Sequence, residues 1–223
     1  MCGRYTLLAD ELAIRRRFHI EKPITHYEPS YNIAPTEDVL SVIYDPKRGE
    51  RRAGFMKWGL VPFWAKDKKR ASNMINARSE TIHEKPSFKH LLMRKRCLVV
   101  ADSFYEWEKD GQERIPHRIQ TAQQSLFSFA GLWDMWQGDQ GEKLFTCTLL
   151  TKDSNPFMEN IHHRMPIILD EAGERDWLEG TFHSNEAVQQ FAATYDVEDL
   201  TSYIVSSHVN HARHKDEKCI LEV

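Results

Sequence analysis

Cys97-Leu98-Val99-Val100-Ala101, followed across Asp102 by Ser103-Phe104-Tyr105-Glu106-Trp107-Glu108, is the stretch from which the fold is read. Its first five residues form a short unbroken apolar run, which predicts a buried strand. The six that follow run on to Asp110-Gly111, a turn dipeptide that predicts a hairpin. Outward from this centre, residues 127–136 and 144–151 read as strands split by the polar turn 138–141, and 164–169 as another. Residues 39–44 and 51–58 make a second hairpin, turning at Asp45-Pro46 and Gly49, and 203–205 form a late strand. Helices are predicted over 5–18, with Leu8, Leu12 and Phe18 as apolar contacts and Asp10 as cap, and over 87–94. Two more follow, from Asp170 to Leu178 and from a Ser184 cap to Tyr195. Residues 59–64 read as an aromatic loop and 66–70 as a charged connection. Many short strands with helices at intervals, and no repeat or linker, predict one α+β domain over residues 1–223. Its mixed sheet is curled and partly barrel-like, with the helices peripheral.

Of the 223 residues 41% are hydrophobic, and 11 Phe, 7 Tyr and 6 Trp suffice to fill a large core without staples. The formal net charge of -3 excludes a wholly basic nucleic-acid binder. Charge is uneven, however: residues 47–96 hold 15 Lys or Arg against four acids, and 170–199 hold nine acids against Arg175 alone. That pattern reads either as two solvated faces or as a local anion-binding surface. Cysteines at 2, 97, 147 and 219 show neither a CxxC pair nor zinc-site spacing, and Cys97 and Cys147 sit in apolar runs as small buried residues. With no signal-peptide core and no apolar stretch long enough to span a bilayer, the cytosol is the expected compartment.

Several residues carry candidate chemistry. Removal of Met1 would leave Cys2 with an α-amine beside its thiol, groups that titrate near ~8 and ~8.5 in model compounds. Such a 1,2-aminothiol condenses with an aldehyde and closes a thiazolidine ring intramolecularly. The alternative is an ordinary small residue after Met1. Asn76, Arg78 and Glu80 share one side if their segment is extended: Arg78 can hold a phosphate or pair with Glu80, and Asn76 can orient a hydroxyl or carbonyl. Glu106, alone among apolar neighbours, suits proton transfer if buried, with Glu108 as its same-parity rival. Ile161-His162-His163-Arg164-Met165-Pro166 offers an acid or base and an anion-binding arginine, and periodicity does not choose between the histidines. Trp58, Phe63, Trp64 and Trp107 read as core or, beside Arg4, Lys66, Lys68, Lys69 and Arg70, as stacking surfaces for bases. In the tail, His208, His211, His214 and Cys219 read as packed or solvated residues before they read as a metal site. Cys2 with His162 and Asn76 or Glu106 also fits a papain-like thiol hydrolase.

Together these motifs resemble the SRAP family of abasic-site processing proteins. The resemblance rests on six motifs in the family's order: Met1-Cys2-Gly3-Arg4-Tyr5, Tyr31-Asn32-Ile33-Ala34-Pro35, Trp58-Gly59-Leu60-Val61-Pro62, Asn76-Ala77-Arg78-Ser79-Glu80, Phe104-Tyr105-Glu106-Trp107 and residues 161–166. It implies covalent cross-linking through Cys2 to the ring-opened aldehyde of abasic sites in single-stranded DNA, supported by Asn76, Glu106 and His162. It also implies DNA contacts at Arg4, Trp64, Arg78, Trp107 and Arg164, and it selects His162 over His163. AP lyase and self-peptidase activities, a role in the SOS response and DNA repair, a cytoplasmic monomer that joins the nucleoid when bound to damaged DNA, and no cofactor, metal or membrane are the accompanying expectations. The competing expectations are a thiol peptidase with Cys2 as nucleophile and a non-covalent single-stranded DNA-binding module. Phe63 stands where some family members carry a second Trp, and His163 where a bacterial member has Asp.

Overall fold

Strand β10 (Lys143–Asp153) organises the molecule, because four other strands use its two edges. The computed structural model describes residues 2–68, 73–123 and 125–223. Within them, β3 (Asp38–Asp45), β4 (Glu50–Trp58), β6 (Arg96–Ala101) and β9 (Phe127–Gln137) pair successively antiparallel in the order β4-β3-β6-β9. β9 then pairs antiparallel with β10, and β10 pairs in parallel with β4 at Thr146↔Lys57 and Cys147↔Trp58. Five strands therefore close into a ring, which removes exposed edges. This is the expected curled, mixed, barrel-like sheet of an α+β domain.

Further along the edge of β10, β5 (Asn76–Arg78) takes over from β4, with Leu149↔Asn76 and Thr151↔Arg78. The chain between β4 and β5 leaves the sheet and returns to it. The aromatic segment 59–64 lies in that excursion, and Lys69 and Arg70 of the charged connection fall outside the described residues. Short strands β11 (Arg164–Pro166) and β12 (Ile168–Leu169) pair with β10 and β9.

A second, antiparallel sheet has the order β13-β8-β7-β1-β2, from β1 (Tyr5–Leu7), β2 (Ser30–Ile33), β7 (Ser103–Asp110), β8 (Glu113–Thr121) and β13 (Leu200–Ile204). The chain passes from barrel to second sheet at Asp102, between β6 and β7. Its carboxylate accepts from the Thr6 hydroxyl and the Leu8 amide, fastening the N-terminal strand there. The hairpin turns at Gly111, whose φ of 58° suits glycine.

The CLVVA run is buried on both faces, the reason it does not alternate. One face lines the barrel; against β6 lies helix α2 (Glu171–Glu179), whose Trp177 Nε1 donates to the Cys97 carbonyl at 3.0 Å. Gly131 on β9 permits this close wall, since a Cβ there would meet Cys97 Sγ at 2.9 Å and the Thr148 carbonyl at 3.1 Å. Asp170 caps α2 and Ser184 caps α3 (Asn185–Thr194), as the sequence predicts. Among the described residues no helix is long and apolar enough to cross a membrane.

Four expectations need correction. Residues 5–7 are strand, because Tyr5 and Thr6 pair with Phe104 and Ser103; the helix is α1 (Glu11–Phe18), begun by the Asp10 cap. Leu12 is 48% exposed, and Ile14 joins Phe18 in the core instead. Residues 87–94 form consecutive turns rather than a helix, as hydrogen bonds such as Phe88 N to Lys85 O and Leu91 N to Phe88 O record. The strand expected over 164–169 is split at Ile167, where the chain moves from β10 to β9.

Candidate functional site

Cys2 lies just ahead of β1 and is fully buried. Asn76, the first residue of β5, donates from Nδ2 to the Cys2 carbonyl at 2.8 Å. Its Oδ1 is also buried and has no hydrogen-bond partner among the described residues. Burial pushes the Cys2 thiol well above its ordinary pKa, and the neighbouring Glu106 carboxylate pushes it the same way. The thiol is therefore neutral at physiological pH.

Glu106 sits on β7, opposite His117, with 2% of its surface exposed. Burial holds its carboxyl above the ordinary carboxylate range, the direction expected for a lone acid in an apolar stretch. Glu108, its rival, is more exposed and meets His117 Nε2 at 2.9 Å. Alternation turns Tyr105 and Trp107 to the opposite face, against the C-terminal tail, where Trp107 Nε1 donates to Asn210 Oδ1 at 2.7 Å.

His162 precedes β11. Its Nδ1 lies 3.0 Å from the Arg164 amide nitrogen and 3.1 Å from the Arg164 carbonyl oxygen, contacts that orient the ring. His163 stacks on it at 4.4 Å. Burial lowers the His162 pKa, and the charge of Arg114 on β8 adds to that, so the ring is neutral at pH 7.

The arginines divide sharply. Arg164 is buried: Nη1 meets Glu80 Oε1 and Asp153 Oδ1, each at 2.6 Å, and Nη2 meets Glu80 Oε2 at 3.1 Å and the Thr151 carbonyl at 2.8 Å. Glu80 thus pairs with Arg164 and not with Arg78. Arg78 is exposed and enters no ion pair among the described residues. Arg4 sends Nη1 to Asn32 Oδ1 at 3.0 Å and to the Val209 carbonyl at 2.8 Å, and Nη2 to the Asn210 carbonyl at 3.1 Å. Trp64 and Phe63 are 52% and 56% exposed. Trp64, Lys66, Asp67, Asn73 and Met74 line an open cleft of about 860 Å³. Trp58, by contrast, is a core residue.

Two residues that the sequence did not single out hold these pieces in place. Buried Asn32 accepts from Arg4 and donates from Nδ2 to the carbonyls of Val209, His211 and His214 at 3.0–3.1 Å. Asp134, fully buried on β9, accepts from the Phe63 amide at 2.8 Å and from Lys95 Nζ at 2.5 Å, so it fixes the exposed aromatic loop. Val61 N to Thr146 Oγ1 and Trp136 Nε1 to the Ala65 carbonyl secure the same loop. The signal that marked Glu106, one carboxylate inside an apolar run, was equally present at Asp134.

A two-sheet α+β domain with Cys2, Asn76 and Glu106 gathered at its N-terminal strand defines the class. Residues 1–212 match the family described as SOS response associated peptidase (SRAP), and the chain belongs to that family. It is 43% identical over 223 residues to the abasic site processing protein YoqW of Bacillus subtilis, covering 99% of both chains. It is 34% identical to the abasic site processing protein HMCES of Xenopus tropicalis, across 88% of this chain and 67% of that one. A crystal structure of a Bacteroides thetaiotaomicron protein superposes with a TM-score of 0.87 at 26% identity, covering all of both chains.

Proposed function

We propose that this protein processes abasic sites in DNA, and that it does so by covalent capture of the lesion through Cys2. Relatives named as abasic site processing proteins support the first part. The observation that carries the second is the burial of Cys2 beside Glu106, with Asn76 on its carbonyl.

The chemistry requires prior removal of Met1, which frees the Cys2 α-amine. That amine attacks the ring-opened aldehyde of the abasic sugar, and loss of one water gives an imine. The Cys2 sulfur then bonds to the imine carbon, and its thiol proton goes to the nitrogen as the thiazolidine closes. Glu106, protonated more readily than an ordinary carboxyl, is suited to protonate the departing hydroxyl and take a proton back. Asn76 orients the Cys2 end of the site, and neutral His162 manages the sugar oxygen. Without the thiol trap, the imine acidifies the adjacent sugar carbon and β-elimination cleaves the strand.

Arg78 and the Trp64 cleft supply an exposed cation and an aromatic face for a single strand, whose bases stack without an unpairing cost. Arg4 and Arg164 through their Nη groups, and Trp107 through Nε1, bond protein atoms and so also shape the site, beside the DNA contacts proposed for them. A thiol peptidase would need Cys2 as a thiolate, and burial next to a carboxylate opposes that form.

Intact-mass analysis after incubation with abasic single-stranded DNA tests the proposal. The expected product has the summed mass less one water, survives denaturation, and disappears when the sugar aldehyde is first reduced with borohydride. Cys2→Ala should lose the durable adduct. An adduct that forms undiminished from Cys2→Ala, or from the reduced sugar, would overturn it.

A further inference from the structure

Far from Cys2 in sequence, the tail gathers a donor set that abasic-site chemistry does not use. His208 Nε2, an Asp216 carboxylate oxygen and Cys219 Sγ all lie within 4.8 Å of one another. His208 Nε2 stands 3.1 and 3.2 Å from the two Asp216 oxygens. We propose that these three side chains form a binding site for a divalent metal of zinc type, which ties residues 208–219 of the C-terminal tail together.

Metal–ligand bonds of about 2.0–2.3 Å set tetrahedral ligands roughly 3.3–3.8 Å apart, so closure asks for about 1 Å of side-chain movement. The mixture of thiol, imidazole and carboxylate selects zinc or cobalt over magnesium or calcium. Cys219 is buried, while the side chains of His208 and Asp216 are 26% and 55% exposed, which gives the ion a path from solvent. Three protein ligands leave a fourth position for water.

The backbone that carries these ligands is already fixed. Asn32 holds the carbonyls of Val209, His211 and His214, and Arg4 those of Val209 and Asn210. The His214 ring stacks on His208 at 3.8 Å, and its Nδ1 donates to the His208 carbonyl at 2.7 Å. Asp216 caps the turn Glu217–Cys219 and accepts the Lys218 amide at 3.0 Å. Such outer partners orient ligands before the ion arrives. Binding replaces the Cys219 thiol proton, now directed at the His214 carbonyl 3.5 Å away, and releases it to solvent as the sulfur–metal bond forms. The bound ion would steady the turn that carries Asn210, which accepts from Trp107 Nε1 and from Arg4 Nη2.

The full chain, stripped with chelator, is titrated with cobalt(II) and then zinc. One equivalent of cobalt should bind with a sulfur-to-cobalt charge-transfer band, zinc should displace it, and Tm should rise by about 2–4 °C or more. Cys219→Ser should abolish the band, and His208→Ala, at a partly exposed position, should weaken zinc binding at least about tenfold. Binding too weak to compete with a chromophoric chelator would overturn the proposal. So would a charge-transfer band that survives in Cys219→Ser, which would place the metal on another cysteine, or zinc affinity unchanged in His208→Ala. None of these readouts depends on DNA.

Discussion

The Asn76 side-chain amide donates to the Cys2 carbonyl across 2.8 Å, joining the strand of the barrel edge to the segment that leads into the second sheet. This bond decides where the Cys2 end of the chain points. Asn76→Ala leaves a buried carbonyl without its donor, at about 1–3 kcal/mol. Adduct formation should slow at least about tenfold, the effect of roughly 1.4 kcal/mol on a barrier. Quenched time courses with abasic single-stranded DNA, beside DNA affinity measured separately, check this. Unchanged kinetics would remove Asn76 from the site.

Glu106→Gln keeps the shape of the buried carboxyl and removes its proton chemistry. General acid–base assistance contributes about 10²–10⁴-fold, so cross-linking should fall by at least about 10²-fold while DNA binding persists. Burial raises the Glu106 pKa, so the acid form extends to higher pH than for an exposed glutamate. The native rate should decline as pH rises through that value, and the Gln variant should lack the decline. Rate–pH profiles of both proteins at equal DNA saturation are the measurement.

Asn32 receives Arg4 on one side and three tail carbonyls on the other. Asn32→Leu strands these groups together, so the loss should be at least about 2 kcal/mol. For a chain of this size that lowers Tm by about 4–8 °C. Thermal denaturation checks it, and a Tm within about 2 °C of native would contradict the reading of Asn32 as the tail's anchor.

Periodicity made the strands of the barrel legible, because buried runs such as 97–101 and the turn dipeptide Asp110-Gly111 act locally. The caps Asp10, Asp170 and Ser184 were legible for the same reason. Pairing was not: nothing local says that β10 meets β4 for two residues and then β5. Strand β1 was misread because Tyr5 and Thr6 owe their conformation to Phe104 and Ser103, nearly a hundred residues away. At the site, the raised proton affinity of Glu106 was readable from its apolar neighbours. The engagement of Arg164 by Glu80 and Asp153 was not, since burial of an arginine depends on acids that only the fold brings near. For the same reason the sequence grouped His208, His211, His214 and Cys219 by spacing, and did not add Asp216. His208 meets Asp216 and Cys219 through a turn that Asn32 holds from across the molecule.

Glu174 offers a test of the fold away from the site. It is fully buried on α2, where Arg17 of α1 bonds it at 2.6 and 3.2 Å and the Ser128 hydroxyl of β9 at 3.0 Å. Burial outweighs these partners and pushes its pKa up to about 7, against 4.5 when exposed. Between those values the folded state holds a proton that the unfolded chain has released, so stability falls as pH rises through that window. The slope can reach about 1.4 kcal/mol per pH unit, and the contribution is fully present below the unfolded value. Glu174→Gln removes the titrating group. The variant should lose less stability than the native protein between pH 5 and pH 8, even though its contact with Arg17 is weaker once Glu174 has ionised. Urea denaturation of both proteins at the two pH values gives the four free energies needed. An equal pH dependence in the variant would show that Glu174 is ionised throughout and that Arg17 governs its charge state.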